Sequence, residues 1–248
     1  MSIKSDKDII GLRRVGRIVA LAIEEMKNHV VPGITTAALD KIGEEVILRH
    51  GARPAPRLVY KFPGATCISI NENIAHGIPG NQIIENGDLV NIDVSVELDG
   101  YFADSGYTLQ AGDQDEEIQR LCACAKKALE EALKVAKAGV RLNQVGRIIE
   151  KTAKNEGYTT IKDLCGHGIG RALHDGSCDV LNYYDPLDRQ RLKEGMVVAI
   201  EPFVSMKARR IKQTEDGWTL TTPEGSLVAQ YEHTVIITKK EPIILTKV

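Results

Sequence analysis

The chain has 248 residues, 43% hydrophobic, 27% charged and only 4% aromatic, enough for one large or two small domains around a core of mainly Val, Ile, Leu and Ala. A formal net charge of −2 argues against general nucleic-acid or polybasic membrane binding, and no apolar run approaches the roughly 20 residues of a membrane helix. The polar start Met1–Ile10 and five cysteines without a C-x-x-C pair (Cys67, Cys122, Cys124, Cys165, Cys178) predict a cytoplasmic protein lacking a signal peptide, a disulfide framework or a zinc ribbon.

Taken in chain order, Leu12, Val15, Val19, Ala22 and Ile23 mark the apolar face of a first helix. A second is joined to it at Gly33, read as a helix stop, with Leu39 and Ile42 on its apolar face, and runs to Gly51. Gly87 opens the β-branched run that ends in Asp93, and Leu98-Asp99-Gly100 signals a hairpin. The same syntax then recurs. Ile118, Leu121, Ala125, Ala128 and Leu129 repeat the first helix, and Gly139, Val145, Ile148 and Gly157 repeat the second. Gly195 opens a run ending in Glu201, again six residues on. Lys207–Leu227 is polar and turn-rich, and predicts a hairpin excursion. Cys122 and Cys124 fall on a helix as small buried thiols. Unless the match is coincidental, helix–helix–strands is written twice. It predicts an α+β fold, with helices over one face of a mainly antiparallel sheet. No linker separates the halves, about 1–110 and 111–248, so 1–248 reads as one domain.

Asp93, Glu201 and Glu232 each interrupt a strand-like apolar run. One such carboxylate is explained by a solvent-facing alternate position; three weaken that explanation, because carboxylates are seldom buried unless paired or bound to metal. A turn with an even number of residues at Asp99-Gly100 puts Asp104 on the same sheet face as Asp93, opposite or diagonal. Two facing carboxylates repel unless a shared proton or a cation intervenes, and oxygen donors suit a divalent metal. His167, between glycines in Cys-Gly-His-Gly-Ile-Gly, is the first candidate nitrogen ligand; His174 and His76 follow as further candidates. The glycine-rich run lacks a Walker lysine and the G-x-G-x-x-G order of a phosphate loop. His29, His50 and His233 read as structural, the first two near helix ends.

These residues carry a family resemblance. Cys-Ile-Ser-Ile-Asn-Glu (67–72), His-Gly-Ile-Pro (76–79), Asp-Leu-Val-Asn-Ile-Asp-Val (88–94), Gly-His-Gly-Ile-Gly (166–170), Ala-Ile-Glu-Pro-Phe (199–203) and Gln-Tyr-Glu-His-Thr (230–234) resemble, in order, the motifs of type I methionine aminopeptidases. The resemblance spans nearly the whole chain and implies the pita-bread fold, with two pseudo-symmetric halves. It implies two divalent ions (Co, Mn, Fe or Zn), with Asp93 chelating one, Asp104 and Glu232 bridging both, and His167 and Glu201 completing the second site. It also implies Glu201 as proton shuttle, His174 stabilising charge at the scissile bond and His76 contacting the substrate amide. Phe62, Cys67 and Trp218, with Leu173, would line the methionine pocket; core packing is the alternative for these. The implied partners are nascent polypeptide N-termini near the ribosome, with no specific nucleic acid, no membrane and a monomeric enzyme.

After His174 the chain reads Asp-Gly-Ser-Cys-Asp (175–179), where relatives usually carry a glutamate and a proline; that departure bears on substrate range. No zinc-finger or SH3-binding extension is expected. The runner-up is a prolidase or Xaa-Pro aminopeptidase, which shares the ligands but usually adds an N-terminal domain. A non-catalytic pita-bread binding protein is the reading from another class, although such proteins typically lose ligands.

Overall fold

The computed structural model describes residues 1–248. Helix α1 (Asp6–Asn28) starts at Ser5, whose hydroxyl accepts from the Asp8 amide while the Asp8 carboxylate accepts from the Ser5 amide. This reciprocal cap satisfies two donors that the helix end would otherwise orphan. It buries Leu12, Val15, Val19, Ala22 and Ile23, the predicted face. Helix α2 (Thr36–Arg49) is capped by the Thr35 hydroxyl, and the short helix α3 spans Ala55–Tyr60. Helices α4 (Glu116–Val135) and α5 (Leu142–Asn155) repeat the first two. The boundaries of α2 and α5 correspond, Thr36 with Leu142 and Arg49 with Asn155. Cys122 and Cys124 are buried on α4.

The two halves also repeat their main-chain bonds. Gly33 N–H donates to Ile84 O at 2.8 Å, and Gly139 N–H to Leu192 O at 2.8 Å. Ile84 N–H returns to Ile34 O, and Leu192 N–H to Val140 O. In the sequence reading Gly33 joins the helices as a helix stop, and the structure corrects that. α1 ends at Asn28 with His29 as its cap residue, whose N–H bonds back to Met26 O. Gly33 instead turns the linker, at φ 97°, with Gly139 equivalent at φ 90°.

All strand pairing is antiparallel, but it divides into short ladders rather than one continuous sheet. The longest is the hairpin Leu89–Leu98 with Tyr101–Gln110, closed by Asp99 and Gly100, both at positive φ (51° and 77°). That is the primed turn an Asp-Gly pair favours. Strand Cys67–Ile70 lies on the outer edge of Leu89–Leu98. In the second half Val197–Ile200 pairs with His233–Ile236, and Phe203–Ser205 with Val228–Gln230. The halves meet where strand Tyr101–Gln110 faces residues 230–234. There the hydroxyls of Ser105 and Thr108 donate to Glu232 O and Gln230 O, and Glu232 N–H donates to Gly106 O. Hydroxyl bonds replace ladder bonds at this seam, so the regular pairing breaks there.

One hydrophobic core lies under α1 and α2, a second under α4 and α5. The predicted excursion is a hairpin, Lys212–Gln213 with Leu220–Thr221; its second strand adds to Asn73–Ala75 of the first half. No helix is long and apolar enough to cross a membrane.

Candidate active site

The seam between the halves gathers the carboxylates. Asp93 stands opposite Gly106 and Asp104 opposite Ser95, so the two aspartates share a face on the diagonal of the hairpin. Glu232 arrives on the facing segment and Glu201 follows strand Val197–Ile200. Asp104, His167 and Glu232 each offer a ligand atom, and these atoms lie within 4.8 Å of one another. His167 Nε2 is 3.8 Å from Asp104 Oδ2 and 3.6 Å from Glu201 Oε1. Two buried carboxylate oxygens here, Asp104 Oδ1 and Glu232 Oε1, have no hydrogen-bond partner.

Burial and mutual repulsion push these acids upward. Asp93 rises to about 6, chiefly through desolvation. Asp104, Glu201 and Glu232 rise well above the ordinary carboxylate range, first through desolvation and then through one another's charge. The His167 imidazole moves the other way, down to about 3, through desolvation and then the nearby His174. It is therefore neutral at physiological pH. Its Nδ1 faces Gly168 O at 3.2 Å, which places the ring proton on Nδ1 and leaves the Nε2 lone pair toward the acids. Four clustered carboxylates, a neutral imidazole and two partnerless oxygens fit divalent cations: the donors are hard or borderline, and the charge they create needs neutralising.

A cavity of about 350 Å³ opens over this cluster. Its lining brings together Asp93, Asp104, His167, Glu201, Glu232, His76, His174, Phe62, Cys67 and Trp218, with Leu173. A larger cavity, about 670 Å³, lies between α1 and α4 behind Glu232; it touches only one of these residues. Cys67 pairs in register with Asp93, and the excursion hairpin, aligned Leu220 to Ala75, brings Trp218 edge-on to Phe62 at 5.3 Å between ring centres. His76 sits at φ 53°, the left-handed region that non-glycine residues seldom occupy and that clusters at functional sites. The His174 ring lies 3.9 Å from that of His167. The unusual loop folds back on the motif: Asp175 N–H donates to Gly168 O, and Asp175 Oδ1 accepts from Ser177 N–H. A Cβ on Gly168 would come within 2.1 Å of both Asp175 and Ser177 side chains.

Three residues of this site are given no role by the sequence, although two of them, Asn91 and Gln230, lie inside the recognised motifs. Gln230 Nε2 donates to Glu232 Oε2 at 3.0 Å, while its Oε1 accepts from Asn91 Nδ2 at 2.8 Å. Tyr60 reaches His174, with its hydroxyl 2.6 Å from Nδ1. Gln230 lies inside a recognised motif, and its spacing two residues before Glu232 is the only hint available.

A model of metallopeptidase family M24 matches residues 11–239. Over 248 residues, all of both chains, the sequence is 51% identical to methionine aminopeptidase 2 of Bacillus subtilis. The chain belongs to the methionine aminopeptidases of metallopeptidase family M24. Its structure is similar to the crystal structure of methionine aminopeptidase from Thermotoga maritima, with TM-score 0.96 and 36% identity over all of both chains. Likeness to the prolidase from Pyrococcus furiosus is lower, TM-score 0.79 at 25% identity, and covers 99% of this chain but 65% of that one. The α+β pita-bread fold with its two pseudo-symmetric halves follows from this membership, as does the use of divalent metal.

Proposed function

We propose that the protein releases the initiator methionine from protein N-termini whose second residue is small, using two divalent ions, and that residues 1–248 act as one catalytic domain of two halves, about 1–110 and 111–248. The observation that carries this reading is the pair of partnerless buried oxygens, Asp104 Oδ1 and Glu232 Oε1, among like-charged neighbours. Asp93 would hold one ion, Asp104 and Glu232 would be shared, and His167 and Glu201 would hold the second. Cobalt, manganese, iron and zinc all suit this donor set. When bound, such ions polarise the scissile carbonyl and lower the pKa of a water; two-metal aminopeptidases are a standing example of that chemistry.

The chain's own groups supply the rest. Glu201 takes the proton of the attacking water on a carboxylate oxygen and passes it to the departing amine. His174 donates to the carbonyl oxygen as negative charge develops there, and His76 binds the substrate amide. Phe62, Cys67 and Trp218 enclose the methionine side chain, with Leu173 beside them. Substrates are nascent chains in the cytoplasm, met near the ribosome by a monomeric enzyme. Full-length identity to methionine aminopeptidases supports this over the prolidase reading. The test is release of methionine from Met-Gly-Met-Met, abolished by chelation and restored by a divalent ion; activity indifferent to chelation would refute it.

A further inference from the structure

Tyr60 is the last residue of α3, and Lys61 after it turns the chain in the left-handed region at φ 58°. Arg57 ties this short helix to α2 through Glu44 and, at 3.7 Å, through Asp40. From that anchored position Tyr60 crosses to the other half of the molecule. Its hydroxyl lies 2.6 Å from His174 Nδ1, and the two rings are 5.8 Å apart, tilted by 55°. Both side chains line the 350 Å³ cavity. A second neighbour of the His174 ring is that of His167, 3.9 Å away.

The direction of the bond follows from acidity. A phenol titrates near 10, and burial with the charge of Asp104 pushes Tyr60 higher. The hydroxyl therefore keeps its proton and donates it to Nδ1. In a neutral imidazole, a nitrogen that accepts leaves the ring proton on the other. We propose that Tyr60 is a positioning residue for the peptidase reaction, holding His174 in the Nε2–H tautomer and the orientation from which it donates to the substrate carbonyl. This rests on the reading of His174 given above. Tyr60 touches His174, not the ion ligands, so its loss should leave the ions in place.

The experiment compares Tyr60→Phe, His174→Ala and the double variant, each with its melting temperature and bound metal measured. Tyr60→Phe keeps the ring and removes the hydroxyl. Expected is a fall in kcat of about tenfold, smaller than the about 10²-fold fall for His174→Ala, with KM within about twofold and metal content unchanged. In the His174→Ala background, Tyr60→Phe should do nothing further. Ring-nitrogen NMR of the zinc-loaded protein should give His174 as the Nε2–H tautomer, with Nδ1–H appearing in Tyr60→Phe. An unchanged kcat, an equal penalty in both backgrounds, or an unchanged tautomer overturns the proposal. A fully active His174→Ala removes the underlying reading of His174, and the proposal with it.

Discussion

Asp93 and Asp104 share one face of the hairpin on its diagonal, Asp93 opposite Gly106 and Asp104 opposite Ser95. With Glu201 and Glu232 they share a site whose three imidazoles, His76, His167 and His174, are all pushed toward the neutral form by burial, and which offers no Lys or Arg side chain. Without bound cations, such a group of acids can remain in place only by keeping protons.

That sets a pH dependence. The folded-state value of Asp93 is raised from 3.8 to about 6, so in chelated protein its proton contributes stability below about pH 4 that is lost as pH rises through about 6. Asp104, Glu201 and Glu232 are shifted the same way. The difference in melting temperature between metal-loaded and chelated protein should therefore widen from pH 4 to pH 7. A constant difference across that range would contradict the shared-charge account.

Asp104→Asn keeps the shape and removes one charge. Metal titration calorimetry should show loss of the paired site, and peptide hydrolysis should fall by about 10²-fold. The chelated variant should melt above the chelated parent, because one repelling carboxylate is gone. Near-parent turnover would defeat the dinuclear assignment.

Gly106 leaves the space through which Gln230 reaches Glu232. A Cβ there would lie 2.0 Å from Gln230 Oε1. Gly106→Ala should cost about 1–3 kcal/mol through overpacking and weaken metal affinity by about tenfold as Glu232 loses its amide partner. Thermal melts and metal titration would check both; unaltered affinity would show that Gln230 does not orient Glu232.

Far from the chemistry, Asp8 joins α1 to the second half. It accepts from the Lys4 amide at 3.0 Å, from Arg171 at 3.0 Å, and from Tyr101 and Ser5, and its carboxyl is held down at about 2, first by the Lys4 bond. Asp8→Ala should destabilise by about 2 kcal/mol at pH 7. Because the folded value lies below the ordinary 3.8, that contribution is present above about pH 4 and lost toward pH 2. Denaturant unfolding at pH 7 and pH 3 should show the penalty shrinking; an equal penalty would place the effect in packing instead.

Much of this was legible because charge breaks a pattern. Asp93, Glu201 and Glu232 stand out as acids inside strand-like apolar runs, and an Asp-Gly turn fixes the face that Asp104 shares. The repeat was legible because the apolar faces of α1 and α4 need the same spacing. Partners supplied across the seam were not. Tyr60 and Gln230 are ordinary residues for their local segments, and only folding brings Tyr60 to a histidine 114 positions away. The broken ladder was hidden for a similar reason: Ser105 and Thr108 replace main-chain bonds with hydroxyl bonds, while their β-propensity reads as continuous strand. Gly33 misled because His29 ends α1 itself, its ring 2.8 Å from Glu25 O.

The claim that this metallopeptidase serves initiator methionines is tested most directly by kcat/KM for Met-Ala and Met-Leu peptides of equal length, with an Xaa-Pro peptide beside them. A large second side chain would push the scissile carbonyl out of line, and about 1 Å of displacement costs on the order of 10²-fold in rate. The account predicts Met-Ala cleaved about 10²-fold faster than Met-Leu, with the Xaa-Pro peptide slower than Met-Ala. Equal values for Met-Ala and Met-Leu, or a preference for Xaa-Pro, would contradict it.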